Sequence, residues 1–287
     1  MKLNEAIIQI KHDPLFVDNL LYPGKQISDF NPYNLKIEVT SSGFPSLDMY
    51  KLLKKNRGEL ILIGARPSQG KSGLGFQIAT NVAGYGKSHI FSLEMDHESI
   101  VARQASISLN KPLDYIQNGM AQDKELENLK QQLRALNCIV DDRAGLNIQQ
   151  ICDAARMEYK RSKTDLIVVD FIQIVDYDRK GNRAIELAAI SGGLKNLAKE
   201  LRIPVIALSQ LNRNSENRDD GTPQLSDLKE SGSLEQDADV VLLIHRTKDT
   251  PGTARILVAK NRNGPTGEIE MTFAMGQCRF IDQNVLD

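Results

Sequence analysis

The sequence predicts an α/β fold, with a mostly parallel sheet flanked by helices and a C-terminal antiparallel hairpin. Three observations predict it. Short apolar runs rich in Ile and Val recur from about residue 57 onward, with helical patterns between several of them. They are continuous rather than alternating, as strands read when a sheet is covered on both faces. A glycine-rich loop separates the first run from an apolar helical segment. Finally, Ala254–Ala259 and Glu268–Phe273 flank Asn261-Arg262-Asn263-Gly264-Pro265, a turn composition between two strand-like segments.

Taken in order, residues 1–40 differ from the rest and read as an N-terminal arm. Leu3, Ala6, Ile7 and Ile10 fall at i, i+3, i+4 and i+7, one stripe of a short helix over about 2–12 that ends before Pro14. Pro23, Gly24 and Pro32 then mark a linker. So short a helix is marginal alone in water, so it docks on its own domain or on a neighbouring subunit. Residues 41–287 form the main domain. Strands are expected at Leu60–Ile63, His89–Leu93, Cys138–Val140, Leu166–Val169, Val205–Leu208 and Val240–Ile244. Leu126, Leu129, Leu133 and Leu136 form one helical stripe, and Leu194, Leu197, Ala198 and Leu201 another. The most polar stretch, Asn212–Thr222, is a loop long enough to carry function.

Composition excludes several classes. The chain has 36 Lys and Arg against 37 Asp and Glu, a net charge of −1. Coating nucleic acid by bulk charge is excluded, though a local binding strip is not. Aromatics are 5% with no Trp, which argues against a stacking platform for bases. Cys138, Cys152 and Cys278 are odd in number and not spaced as zinc ligands; they read as reduced thiols. No apolar run reaches the roughly 18 residues of a membrane helix, and the opening MKLNEAIIQIKHD has no secretory core. A cytoplasmic protein without a membrane partner is expected.

The most informative motif is Gly64-Ala-Arg-Pro-Ser-Gln-Gly-Lys71-Ser72, which fits G-x-x-x-x-G-K-[ST] between a strand, Glu59–Ile63, and a helical segment, Leu74–Val82. Glycines let successive N–H groups curl around a phosphate, and the helix start adds a positive dipole end. The run Ala65, Arg66, Pro67, Ser68, Gln69, Gly70, Lys71, Ser72 and Gly73 is therefore the candidate nucleotide-binding loop. Lys71 can neutralise the β- and γ-phosphates, and the Ser72 hydroxyl can ligate Mg²⁺. A second metal anchor is Asp170, which ends the apolar strand Thr164–Asp170 in the Walker B manner. Phe171 follows it, so a catalytic base must come from elsewhere. Glu94 is the candidate, directly after the strand Ser88–Leu93, because strand C-terminal ends converge on the ligand crevice. Gln210 ends Pro204–Ser209 in the same way and could sense a γ-phosphate.

These residues sit in long runs that resemble the C-terminal ATPase domain of DnaB-type replicative helicases, a RecA-like ring-forming group. The runs include Ala65–Ser72, Phe91-Ser-Leu-Glu-Met95, Leu166–Gln173, Leu194–Leu201, Pro204–Arg213, Asp227–Asp239 and Lys260–Gly267. The resemblance spans about Thr40 to Phe273. It implies a hexameric ring that hydrolyses ATP or another NTP with Mg²⁺ and translocates on single-stranded DNA, with 5′–3′ polarity, to unwind forked duplex. Lys71, Ser72 and Asp170 would bind Mg-nucleotide, Glu94 would be the base, and Gln210 would couple phosphate state to DNA-facing loops. Lys260 and Arg262 would reach into a neighbour's site, although alone they also fit a solvated turn. Lys229, Glu230, Ser231 and Gly232 match the family's pore loop, and Arg213 is a weaker DNA-contact candidate.

Departures from the family pattern matter too. Ser72 stands for the more usual Thr, and Lys229 for Arg, which removes bidentate phosphate geometry. Family members carry an N-terminal helical domain for primase and ring assembly, whereas about 40 residues precede the core here. That suggests a minimal helicase of phage or plasmid type in a bacterial host, or a ring that relies on a loader or another partner. Two rivals are a recombinase- or KaiC-like ATPase and a non-hydrolysing nucleotide-binding scaffold of a replication complex.

Overall fold

The computed structural model describes residues 38–176, 183–212, 218, 221–228, 232–247 and 249–283. The expected helix over 2–12 lies outside the described residues. Among these residues, nine strands form one sheet in the order β3-β2-β4-β5-β1-β6-β7-β8-β9. The parallel strands are β1 (Leu60–Ala65), β2 (Ser88–Ser92), β3 (Cys138–Asp141), β4 (Leu166–Asp170), β5 (Val205–Gln210) and β6 (Val240–His245). All six expected strands are present, within one or two residues at each end.

Their continuous apolar character follows from burial on both faces. On β1, Ile61 and Ile63 face one core while Leu60 and Leu62 face the other. The first core is closed by α1 (Lys71–Ala83) through Leu74, Ile78, Ala79 and Val82. The second is closed by α5 (Ile148–Arg161) through Ile151 and Ala155, and by α6 (Arg183–Leu201) through Leu187, Ile190, Leu194, Leu197 and Ala198. A one-residue slip in any strand would exchange the two side-chain sets, so register is fixed. Three further helices, α2 (His97–Leu109), α3 (Leu113–Gln117) and α4 (Asp123–Ala135), follow β2. The expected leucine stripe is on α4, but only Leu129 of it is buried and Leu126 is exposed. A short helix, α7 (Gly232–Asp237), precedes β6.

The C-terminal edge extends beyond a hairpin. β7 (Thr253–Asn261) and β8 (Gly267–Ala274) are followed by β9 (Arg279–Asp282), a further antiparallel strand. Four residues are too few to show a period. β9 is tied to α1: the Gln77 side chain donates to Phe280 O at 2.9 Å and accepts from Phe280 N at 3.0 Å. At the opposite ends of the parallel strands, buried Asp239 gathers three elements. Its carboxylate accepts from Leu60 N at 2.8 Å, from Lys195 of α6, and from Arg262 at 3.4 Å.

His89 on β2 is 3% exposed, stacks on Phe91 at 4.2 Å between ring centroids, and has no partner for Nδ1. Burial pulls its pKa down to about 4, outweighing the opposite pull of Asp141 and Glu158. Between pH 6.5 and pH 4 the unfolded chain therefore binds a proton that the native chain does not. Stability is fully present above about pH 6.5 and falls as pH drops toward 4, by roughly 3 kcal/mol in all. Urea unfolding of wild type and His89→Leu across this window should show a shallower decline in the variant; equal declines would exclude His89 as the source.

Candidate nucleotide site

The loop from Arg66 to Gly70 leaves β1 at Ala65 and enters α1 at Lys71. Gly70 has φ +99°, and a Cβ there would lie 2.8 Å from Phe280 Cζ, so both conformation and space require glycine. A Cβ at Gly73 would lie 2.9 Å from Cys278 O, so α1 can press against the β8–β9 turn. Ser68 is also left-handed, at φ +62°.

The loop forms one wall of a cleft of about 550 Å³ at the C-terminal ends of the parallel strands. Ala65, Arg66, Pro67, Ser68, Gly70, Lys71, Ser72 and Gly73 line it, together with Glu94 and Gln210. Lys71 is the centre of charge. Its Nζ lies 2.5 Å from Asp170 Oδ1, 3.7 Å from Glu94 Oε2 and 3.9 Å from the Phe171 ring centroid. Asp170 is 0% exposed and its Oδ2 has no partner. A buried carboxylate oxygen with no partner among the described residues, on the residue that holds Lys71, is the donor chemistry that a hard divalent cation takes. The residues present therefore fit a metal held by Ser72 and Asp170.

Glu94 is half-exposed in the turn after β2, where Ser92 Oγ donates to Met95 O at 2.6 Å. Gln210 ends β5, and its N–H donates to Gln173 Oε1 at 3.2 Å. Gln173 in turn donates to Ser209 Oγ and Gln210 O, and its carbonyl accepts from Arg183 at the start of α6. The end of β5 is thus linked to the β4 exit and to a long helix.

Two residues of the loop have side chains that are not turned freely toward the cleft. Gln69 belongs to the loop but does not line the cleft, and its Oε1 is buried without a partner. Arg66 lines it, yet its guanidinium donates to Leu211 O at 2.7 Å, bracing the loop on the β5 exit. Lys260 and Arg262 are not brought to the cleft of their own chain. Lys260 Nζ donates to Glu235 O at 2.5 Å, and burial pulls its pKa down. Arg262 is held on Asp239, beside the start of β1, and β1 is about 20 Å long, so a strand length separates it from the loop. Lys229, Glu230, Ser231 and Arg213 lie outside the described residues, while Gly232 begins α7.

Two cationic residues of the cleft, and Gln173 bonded to the end of β5 beside it, carry no role in the sequence reading. Arg246, just after β6, stacks on Phe273 with 3.7 Å between guanidinium carbon and ring centroid, and donates to Ser68 O at 3.2 Å. Desolvation lowers its pKa. It follows a strand as Gln210 ends one, the same positional signal. Gln173 was inside a matching run but had no role, and Arg103 of α2 gives no sequence signal.

A family model described as the DnaB-like helicase C-terminal domain matches residues 40–282. The chain belongs to this family. It is 41% identical over 247 residues to the replicative DNA helicase DnaB of Buchnera aphidicola subsp. Schizaphis graminum, covering 80% of this chain and 53% of that protein. It is 35% identical over 265 residues to the replicative DNA helicase DnaC of Bacillus subtilis, covering 87% and 58%. The chain spans about half the length of the curated relatives it matches. A solved structure of an isolated ATPase domain superposes with a TM-score of 0.81 at 27% identity, covering 99% of both chains. A DnaB-like replicative helicase studied with primase gives 0.79 at 27%, covering 99% of this chain and 67% of the other. The RadB recombinase, at 17% identity and 0.58, shares the RecA-like fold only, and the recombinase alternative is not favoured.

Removing Lys71 strands a buried carboxylate. Lys71→Ala should destabilise the nucleotide-free protein by roughly 3 kcal/mol, and adding Asp170→Asn should recover most of that. Urea titrations of the two single variants and the double close the cycle; additive losses would show that the pair is not coupled.

Proposed function

We propose that this chain is the motor domain of a ring-forming replicative DNA helicase of the bacterial cytoplasm. It hydrolyses ATP or another NTP with Mg²⁺, moves 5′–3′ on single-stranded DNA and separates forked duplex. The observation that carries this reading is the division of the machinery. Lys71, Ser72, Glu94 and Gln210 line one cleft, with buried Asp170 behind it on Lys71, while Lys260 and Arg262 are held a strand length away. A site built this way is completed by a second copy, which supports fuel bound between subunits of a closed, hexameric ring.

The chemistry follows from the side chains. Lys71 exchanges its bond to Asp170 for the β- and γ-phosphates. Asp170 and Ser72 are the residues that would hold Mg²⁺, which would supply neutralisation of the charge developing on the phosphate oxygens. Glu94 orients the attacking water and takes its proton at a carboxylate oxygen. A neighbour's Arg262 and Lys260 stabilise the transferring phosphoryl group. Gln210 reads the γ-phosphate with its amide and passes the state through Gln173 to α6. Lys229, Glu230, Ser231 and Gly232, with Arg213, would hold the strand in the channel by phosphate contacts, which position without specifying bases. A loader or primase would join the ring through other surfaces.

Steady-state ATPase with and without single-stranded DNA, with oligomer mass read in the same buffer, tests the reading. A ring with DNA-stimulated turnover is expected; a monomer with DNA-insensitive turnover would overturn it. Glu94→Gln should keep nucleotide binding and lose at least about 100-fold in kcat. Arg262→Ala should lose about 10³-fold. Mixing it with Lys71→Ala protein should restore part of the turnover, because each supplies what the other lacks. No rescue would argue against an arginine acting in trans.

A further inference from the structure

We propose that the recess at the N-terminal ends of β4 and β5 is a second phosphate-binding surface, which holds the backbone of a single-stranded nucleic acid away from the nucleotide cleft. The recess measures about 320 Å³ and is lined by Lys55, Lys163, Thr164, Asp165, Arg202 and Pro204, among others. It opens at the end of β4 opposite Asp170. Five residues of strand, about 17 Å, separate it from the metal-binding carboxylate.

Two independent features point to an anion. The first is an orphaned donor. Thr164 is 2% exposed, and its hydroxyl has no hydrogen-bond partner among the described residues. A buried hydroxyl without a partner is costly to keep unless something else engages it. The second is uncommitted positive charge. Lys55, Lys163 and Arg202 line the recess, are all exposed, and none forms an ion pair among the described residues. The nearby acids are already engaged: Glu158 pairs with Lys87, Glu200 with Arg156, and the Asp165 carboxylate accepts Lys87 N–H at 2.9 Å.

Helix ends do not account for this charge. α5 and α6 terminate here, and Arg161 and Lys199 in their last turns complement the negative dipole ends. Lys55 belongs to no helix, and Lys163 and Arg202 lie beyond the last turns. Arg202 also adopts φ +57°, a backbone conformation that glycine takes at lower cost. The cations come from three separate chain segments, more than one phosphate can contact. That spread fits a polymer with a charge at every residue better than a single small anion.

The experiment uses the full chain and needs no turnover, so its failure is separable from failure of the motor reading. A Lys163→Cys protein carrying a benzophenone label is irradiated with a dye-labelled single-stranded oligonucleotide. An adduct at position 163 is expected, and its absence overturns the proposal. In parallel, Lys163→Glu/Arg202→Glu is compared with wild type by anisotropy across a salt series. The slope of log affinity against log salt should fall by about 1.4, since each lost contact on a single strand removes about 0.7. An unchanged slope overturns the proposal. Thr164→Val should weaken oligonucleotide binding several-fold while raising the melting temperature by about 2–4 °C, as loss of an unpaired buried hydroxyl predicts. If millimolar pyrophosphate blocks labelling at 163 but oligonucleotide does not, the recess takes a small phosphorylated solute, and the nucleic-acid assignment falls.

Discussion

A carboxylate with no solvent exposure at the end of a parallel strand needs a cation, and Lys71 supplies it. The 2.5 Å contact between Lys71 and Asp170 ties the first turn of α1 to the end of β4. To bring them together, the loop must turn left-handed at Ser68 and Gly70, and α1 must lie close against Phe280 and Cys278. The choice of lysine is physical. An ammonium on a flexible stem can leave one partner for another, whereas a guanidinium fork would be committed in geometry. The other oxygen of Asp170 is buried with no partner among the described residues, the donor chemistry that suits a hard cation.

A second buried acid does the complementary work at the other end of the sheet. Asp239 accepts from the first N–H of β1, from Lys195 on α6 and from Arg262 beyond β7. It thereby fixes the hairpin relative to the strand that carries the glycine loop. Arg262 is held by one oxygen at 3.4 Å and remains about half-exposed, so its guanidinium keeps donors to offer outward. One strand, β1, thus relates the two halves of the machinery rigidly: its C-terminal end opens the phosphate loop and its N-terminal end anchors the arginine.

Much of this was legible in the sequence, for identifiable reasons. Strands buried on both faces read as unbroken apolar runs, so all six parallel strands were visible. Their C-terminal residues Glu94, Asp170 and Gln210 could be placed on one crevice by topology alone. Side-chain direction was not legible. Gln69 and Arg66 sit in the loop by sequence, yet one turns from the cleft and the other braces Leu211 O. Nor were contacts between distant segments. Asp239 with Lys195, and Gln77 with Phe280, depend on register and helix placement that no local pattern encodes. β9 escaped because four residues cannot display a period, and the α4 stripe misled because a helix beyond the edge strand buries only part of an apolar face.

The near-zero net charge illustrates the same limit. It excludes long-range attraction to polyanions, but at physiological salt charges farther apart than about 8 Å are largely screened from one another. What a ligand meets is local. Beside β3 the groove carries Asp141, Asp142, Asp153 and Glu158 with only Arg143 among them, whereas the recess below β4 and β5 carries Lys55, Lys163 and Arg202 against Asp165. These regions cancel in the sum and not in space. A protein of this kind can hold phosphates at its glycine loop, and offer cations at a second place a strand length away, while remaining neutral to anything at a distance. Geometry rather than bulk attraction then decides which anion such a surface can hold.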